Sequence, residues 1–96
     1  MNYTGKQKAK LRSLANKHKV MFQIGQNGLT DNVINNIFDY LRKHEVGRIT
    51  VLKTSPIEID EVMYKLNNLG IDCFYKIGKI ILMYKENVNL KDRIKL

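Results

Sequence analysis

The sequence has one cysteine, Cys73, one proline, Pro56, and no tryptophan. A single cysteine excludes an internal disulfide bond, which fits a reducing compartment. No apolar run approaches the roughly 20 residues that a membrane-spanning helix needs, and no apolar stretch follows the polar N-terminus, so we expect no secretory signal. These absences predict a cytoplasmic protein that does not contact a membrane.

Acidic residues are missing from the first third of the chain. The whole chain has 17 Lys+Arg against 9 Asp+Glu, a net charge of +8, yet residues 1–30 contain no acidic side chain. Positive charge concentrated beside a nearly neutral remainder is typical of a protein that binds a polyanion such as RNA. The alternative, a face that serves only solubility, usually mixes both signs. The candidate RNA-binding side chains in this region are Lys6, Lys8, Lys10, Arg12, Lys17 and Lys19.

Residues with catalytic or metal-binding chemistry are few and scattered. His18 and His44 lie far apart without the spacing of metal ligands, and His18 falls on the apolar side of a predicted helix, so we interpret it as a packed structural histidine. Cys73 lies in a predicted strand and is expected to be a small buried residue. The chain has neither a P-loop nor a dinucleotide fingerprint. We therefore expect no enzyme activity, metal, cofactor or small-molecule substrate; the remaining alternative is an enzyme that depends on Cys73.

Hydrophobic periodicity predicts the order helix, strand, helix, strand, helix, strand, strand. Thr4 and Thr30 are predicted helix N-caps, and Ser55, Pro56 and Glu58 together predict a capping box at the third helix. The predicted ranges are 5–18, 20–24, 31–43, 48–53, 56–69, 71–77 and 80–85.

Strands that alternate with helices indicate parallel pairing, and the two-residue turn Gly78-Lys79 makes the last two strands antiparallel. The predicted fold class is therefore α/β, a compact sandwich with a mixed four-stranded sheet. Residues 1–86 are predicted to form a single domain, followed by a polar C-terminal tail at 87–96 that frays or forms a short helix.

A glycine-bounded loop at residues 25–28 joins the first predicted strand to the second helix. Glycine permits close approach of another chain, and the free N–H groups and dipole of a helix N-terminus attract phosphate, as in the GxxG loop of the KH fold. A plain turn is the alternative, and Asp31 would compete for the helix end. The basic helix just upstream favours an RNA contact. The candidate residues here are Gly25, Gln26, Asn27, Gly28 and Thr30.

Several short motifs follow one another along most of the chain. They are Thr4-Gly5-Lys6-Gln7-Lys8, Leu11-Arg12, residues 23–30, Gly78 and residues 81–85. In order and spacing they resemble the YhbY family, small bacterial proteins made of a single CRM domain, named for chloroplast RNA splicing and ribosome maturation. The resemblance extends from about residue 2 to residue 86.

The resemblance implies RNA binding through the GxxG loop and association with precursors of the large ribosomal subunit. It also implies a fold similar to the C-terminal domain of translation initiation factor three. Two positions depart from the family, which often has lysine at position 26 and proline at position 20, where this chain has Gln26 and Val20. The loop is therefore expected to set position, while the basic helix supplies most of the attraction.

The alternative function is a protein-interaction module that docks on ribosomal proteins or another acidic partner. We expect a monomer in either case. A bulky residue in place of Gly28 is expected to weaken RNA binding and leave the fold intact.

Overall fold

The computed structural model describes residues 3–96; Met1 and Asn2, which belong to the predicted domain, lie outside the described residues. Within this part of the chain the predicted order of helices and strands is confirmed. The elements are α1 (Gly5–Asn16), β1 (Phe22–Ile24), α2 (Asp31–His44), β2 (Val46–Val51), α3 (Ile59–Asn68), β3 (Asp72–Ile77) and β4 (Ile80–Tyr84).

The four strands form one mixed sheet in the order β1-β2-β4-β3. β1 pairs with β2 in parallel, with Ile24 opposite Val51, and β4 lies antiparallel between β2 and β3. Ile77 pairs with Ile80 across a two-residue turn in which Gly78 has a φ of +58°. The mixed sheet and the hairpin are therefore as predicted.

Helices cover both faces of the sheet. α2 and α3 lie on one face, where they pack against β2 and β3, and α1 lies on the other, against β2 and β4. The alternation of β4 supplies both cores: Ile81 and Met83 belong to the core under α2 and α3, while Leu82 and Tyr84 belong to the core under α1. Within residues 3–96, α1 is thus the only helix on its side of the sheet.

A β-bulge in β3 enlarges the core under α1. The register shifts between Cys73 and Tyr75, so Phe74 is the extra residue opposite β4. Phe74 and Tyr75, although adjacent in sequence, therefore both pack in the core under α1, while Cys73 packs under the other two helices.

Threonines cap the first two helices as predicted. The Thr4 hydroxyl accepts the Gln7 N–H and the Gln7 side chain accepts the Thr4 N–H, which completes a capping box. The Thr30 hydroxyl accepts the Val33 N–H at 3.2 Å. All three bonds join residues three apart, so the sequence alone can reveal them.

The predicted start of the third helix is wrong. α3 begins at Ile59, and its N-cap residue, Glu58, makes no side-chain capping bond. The Ser55 hydroxyl accepts the Ile57 N–H at 3.2 Å and donates to the Ile57 carbonyl at 2.8 Å, which holds residues 55–57 in a local turn. The end of the helix is as predicted, because Gly70, with a φ of +88°, forms a Schellman motif.

The second strand begins two residues before its predicted start, because α2 ends without a loop. Glu45 takes a left-handed conformation, with a φ of 64°, directly after His44. Its carbonyl accepts the Lys85 N–H at 2.8 Å, so β2 already pairs with β4 at Val46 opposite Tyr84.

The C-terminal tail is docked on the domain and contains no helix. The Glu45 side chain is fully buried, and its two carboxylate oxygens accept the backbone N–H groups of Asn87 and Ile94. Ile94 also packs against the core under α1. The boundary at residue 86 stays a prediction, but residues 87–96 are held by specific contacts.

Candidate RNA-binding surface

The six basic side chains of the N-terminal region are all exposed, four of them on α1 and Lys17 and Lys19 just beyond it. Leu11 and Ala15 anchor the opposite side of the helix in the core. Among residues 3–96 the ion pairs are Arg42–Asp39, Lys65–Glu61, Lys76–Asp60 and Arg93–Glu86, so none of them involves the six basic side chains. Their positive charge is therefore not neutralised by acidic partners in the described chain.

Two of the six side chains make other contacts. The Arg12 guanidinium lies 5.0 Å from the centroid of the Tyr75 ring, a cation–π arrangement. The Lys10 Nζ donates to the Lys95 carbonyl, which places the basic C-terminal tail beside α1. These contacts fix the positions of two charges and leave both exposed to solvent.

The glycine loop is a closed turn. The Gly28 N–H donates to the Gly25 carbonyl at 3.0 Å, and Gly28 is buried with a φ of +70°. Gln26 and Asn27 are exposed at the tip. Thr30 is half-buried and uses its hydroxyl as the α2 cap, while Asp31 is exposed in the first helical turn. The residues free to meet a ligand are therefore the two at the tip.

The segment after β2 packs beneath the loop. The Leu52 N–H donates to the Ile24 carbonyl at 2.9 Å, and a Cβ at Gly25 would lie 3.7 Å from the Thr54 Oγ1. A Cβ at Gly28 would lie 3.3 Å from the Pro56 Cγ and would strain a left-handed backbone. A bulky residue at Gly28 should therefore destabilise the domain, and whether the fold stays intact, as expected from the sequence, stays a prediction.

The loop and the basic helix meet the edge strand β1 at opposite ends. The loop follows Ile24, whereas the chain leaving α1 enters at Phe22. The Arg48 Nη2 donates to the His18 carbonyl, which fixes that entry on β2. β1, which is three residues or about 10 Å long, lies between the chain that leaves α1 and the loop. Whether the predicted residues form a single RNA contact stays a prediction.

A cluster of rings, which the sequence did not reveal, lies where α1, β1 and α2 converge. The His18 Nδ1 and the Tyr40 hydroxyl are 2.7 Å apart. The centroid of the Tyr40 ring lies 4.3 Å from that of the His44 ring and 5.6 Å from that of the Phe22 ring. Burial, then the nearby His44 and Arg48, lowers the pKa of His18. His18 is packed, as predicted; the spacing of Tyr40 and His44, one helical turn apart, was the only local signal.

The predicted structural role of Cys73 agrees with its environment. The side chain is buried and free, and burial, followed by the charge of Asp72, raises the pKa of its thiol to about 12. Over residues 3–96, no group of three or more His, Cys, Asp and Glu side chains is arranged to hold a metal ion. In the same residues no helix has the length and apolar character to span a bilayer.

Comparisons with known proteins place the chain in a family. Residues 3–85 match the family model "CRS1 / YhbY (CRM) domain". The chain is 34% identical over 85 residues to "Probable RNA-binding protein YqeI" of Bacillus subtilis (strain 168), covering 88% of each chain. It is also similar to a Staphylococcus aureus protein whose solution structure is titled as that of "a putative RNA binding protein". The TM-score is 0.73 and the identity 33%, and the match covers 97% of this chain and 98% of the other. The protein therefore belongs to the CRS1/YhbY (CRM) domain family.

Proposed function

We propose that this protein binds RNA through the basic N-terminal region and the glycine loop, and that it acts in assembly of the large ribosomal subunit by binding ribosomal RNA in the cytoplasm. Membership of the CRM family and similarity to proteins named for RNA binding support the proposal. The observation that carries it is the set of six exposed basic side chains that have no acidic partner in residues 3–96.

The basic side chains supply the attraction in this proposal. Each phosphate that a lysine or arginine neutralises releases condensed counterions, so affinity falls as salt rises. Lys17 and Lys19 lie in the short segment that joins α1 to β1, the strand that the glycine loop follows. They are therefore the best positions at which to test the role of charge.

The glycine loop sets the position of the RNA backbone. Gln26 and Asn27 are exposed and can hydrogen-bond phosphate or ribose without adding charge. Lys53 is exposed in the segment that packs beneath the loop, Glu58 is exposed just after that segment, and Asp31 is exposed three residues after Gly28. The mixed charge at this end agrees with a positioning role.

A matched pair of variants tests the proposal. Lys17→Gln/Lys19→Gln removes two charges near β1, and Lys65→Gln/Lys76→Gln removes two from the opposite side of the molecule, where both lysines are ion-paired. We expect the first variant to weaken binding to precursor large-subunit RNA. It should also make the negative slope of log affinity against log salt concentration shallower, by about 0.7–0.9 for each lost phosphate contact.

The control variant should bind like the unmodified protein at every salt concentration. Equal losses in both variants would mean that only net charge matters, and binding that does not depend on salt would refute the role of phosphate. The alternative, docking on an acidic protein, predicts association with ribosomal particles that survives ribonuclease treatment.

A further inference from the structure

The ring cluster of His18, Phe22, Tyr40 and His44 has one member that packing does not explain. Phe22, Tyr40 and His18 are half-buried and hold α1, β1 and α2 together. His44 is exposed, with its ring 4.3 Å from the Tyr40 ring and 5.2 Å from the His18 ring. It therefore extends a supported cluster of tilted and edge-to-face rings toward solvent.

The rings beneath His44 are held firmly. The Tyr40 hydroxyl and the His18 Nδ1 are 2.7 Å apart. The backbone of His18 is also fixed: its N–H donates to the Ala15 carbonyl at 3.2 Å, and its carbonyl accepts a hydrogen bond from the Arg48 Nη2. A flat ligand that stacked on His44 would thus meet a surface that needs little ordering on binding.

The charge around the cluster is positive. Lys17 and Lys19 are the sequence neighbours of His18, and Lys43 precedes His44 in the last turn of α2, where Arg42 is paired with an acidic residue. The two acidic residues nearest in sequence are already engaged: Asp39 pairs with Arg42, and the buried carboxylate of Glu45 accepts two backbone N–H groups. An aromatic surface with three lysines, unpaired within residues 3–96, next to its histidines in sequence suits a base attached to phosphates.

We propose that His44, supported by Tyr40, is a stacking site for an unpaired nucleobase at the end of β1 opposite the glycine loop. The inference rests on the proposed RNA binding and adds that the bound RNA is single-stranded at this point, because a base inside a duplex cannot present its face to a side chain. Phosphates on either side of that base would meet Lys17, Lys19 and Lys43.

The test compares three variants with the unmodified chain. His44→Ala removes the ring, His44→Phe restores a ring without the imidazole, and Tyr64→Ala removes an exposed ring from α3 on the other side of the molecule. The probes are a short single-stranded RNA with 2-aminopurine at one position and the same strand annealed to its complement. Thermal unfolding of each variant establishes that it is folded.

We expect His44→Ala to weaken single-stranded binding on the order of tenfold and to abolish the quenching of 2-aminopurine fluorescence. His44→Phe should restore both, Tyr64→Ala should change neither, and duplex binding should change little in all three. Unchanged single-strand affinity and quenching in folded His44→Ala would overturn the stacking site while leaving RNA binding intact. If the unmodified chain binds neither probe nor ribosomal RNA, the proposed function itself fails.

Discussion

The buried carboxylate of Glu45 should account for much of the stability of the C-terminal region. Its side chain is fully buried, it accepts the N–H groups of Asn87 and Ile94, and its backbone is left-handed with a φ of 64°. Three substitutions separate these contributions. Glu45→Gln keeps the shape without the charge, Glu45→Ala removes both hydrogen bonds, and Glu45→Gly removes them while relieving the backbone.

A hydrogen bond to a charged group contributes about 1.5–3 kcal/mol, so two such bonds give roughly 3–6 kcal/mol. The cost of taking the carboxylate out of water offsets part of this, and the freed tail can bond to water. We therefore expect Glu45→Ala to lower the free energy of unfolding by about 2–4 kcal/mol. Glu45→Gly should lose about 1 kcal/mol less, because glycine adopts the left-handed conformation without strain. Glu45→Gln should fall between the unmodified chain and Glu45→Ala.

Urea denaturation followed by circular dichroism measures these differences. Glu58→Ala is the matched control, because Glu58 is exposed and makes no side-chain capping bond, so its loss should stay within about 0.5 kcal/mol. Deleting residues 87–96 should destabilise the domain, and Glu45→Ala should then add little, since the two changes remove the same contacts. A loss from Glu45→Ala as small as that of the control would refute this account of the tail.

Four further predictions concern single residues. The free energy of unfolding should fall as the pH drops below about 6.5, because the pKa of His18 is lowered in the folded chain and the unfolded chain therefore binds more protons. His18→Asn should flatten this part of the dependence of unfolding free energy on pH, measured by urea denaturation. The same pH dependence in both proteins would contradict the prediction. Cys73 should react with iodoacetamide at neutral pH only as fast as the chain opens, because the thiol is buried with its pKa raised to about 12; full labelling of the folded protein would contradict this. Gly28→Ala should destabilise by about 1–2 kcal/mol, whereas Gly25→Ala, whose Cβ has room, should be nearly neutral in the same assay. Gln26→Lys should raise RNA affinity and make the slope of log affinity against log salt concentration steeper by about 0.7–0.9, whereas Gln26→Glu should lower the affinity. Equal binding by both variants would show that the loop tip does not contact the RNA.

The features predicted correctly from the sequence are those that depend on near neighbours. The Thr4 and Thr30 caps join residues three apart, and the Gly78 turn is set by two residues. Apolar periodicity placed Leu11 and Ala15 on the inner side of α1, which left the basic side chains outside. One prediction from near neighbours was wrong, the Ser55 cap of the third helix. The Ser55 hydroxyl bonds within its own turn, and the residue types there do not distinguish such a turn from a helix cap.

Features that join distant segments could not be predicted. Glu45 meets its hydrogen-bond donors 42 and 49 residues further along the chain, and no pattern around position 45 signals a buried carboxylate. His18 and Tyr40 are 22 residues apart and meet only because α2 runs back along β1. The bulge at Phe74 depends on the register of β4. The similarity to the C-terminal domain of translation initiation factor three stays a prediction.

Crosslinking in cells, followed by sequencing of the bound RNA, tests the central claim most directly. The unmodified protein should be enriched on precursors of large-subunit ribosomal RNA. Lys17→Gln/Lys19→Gln should lose most of that enrichment, while Lys65→Gln/Lys76→Gln should retain it. Two results would contradict the proposal that the basic N-terminal region directs this protein to ribosomal RNA. One is crosslinking to each cellular RNA in proportion to the abundance of that RNA, and the other is equal recovery of ribosomal RNA precursors with all three proteins.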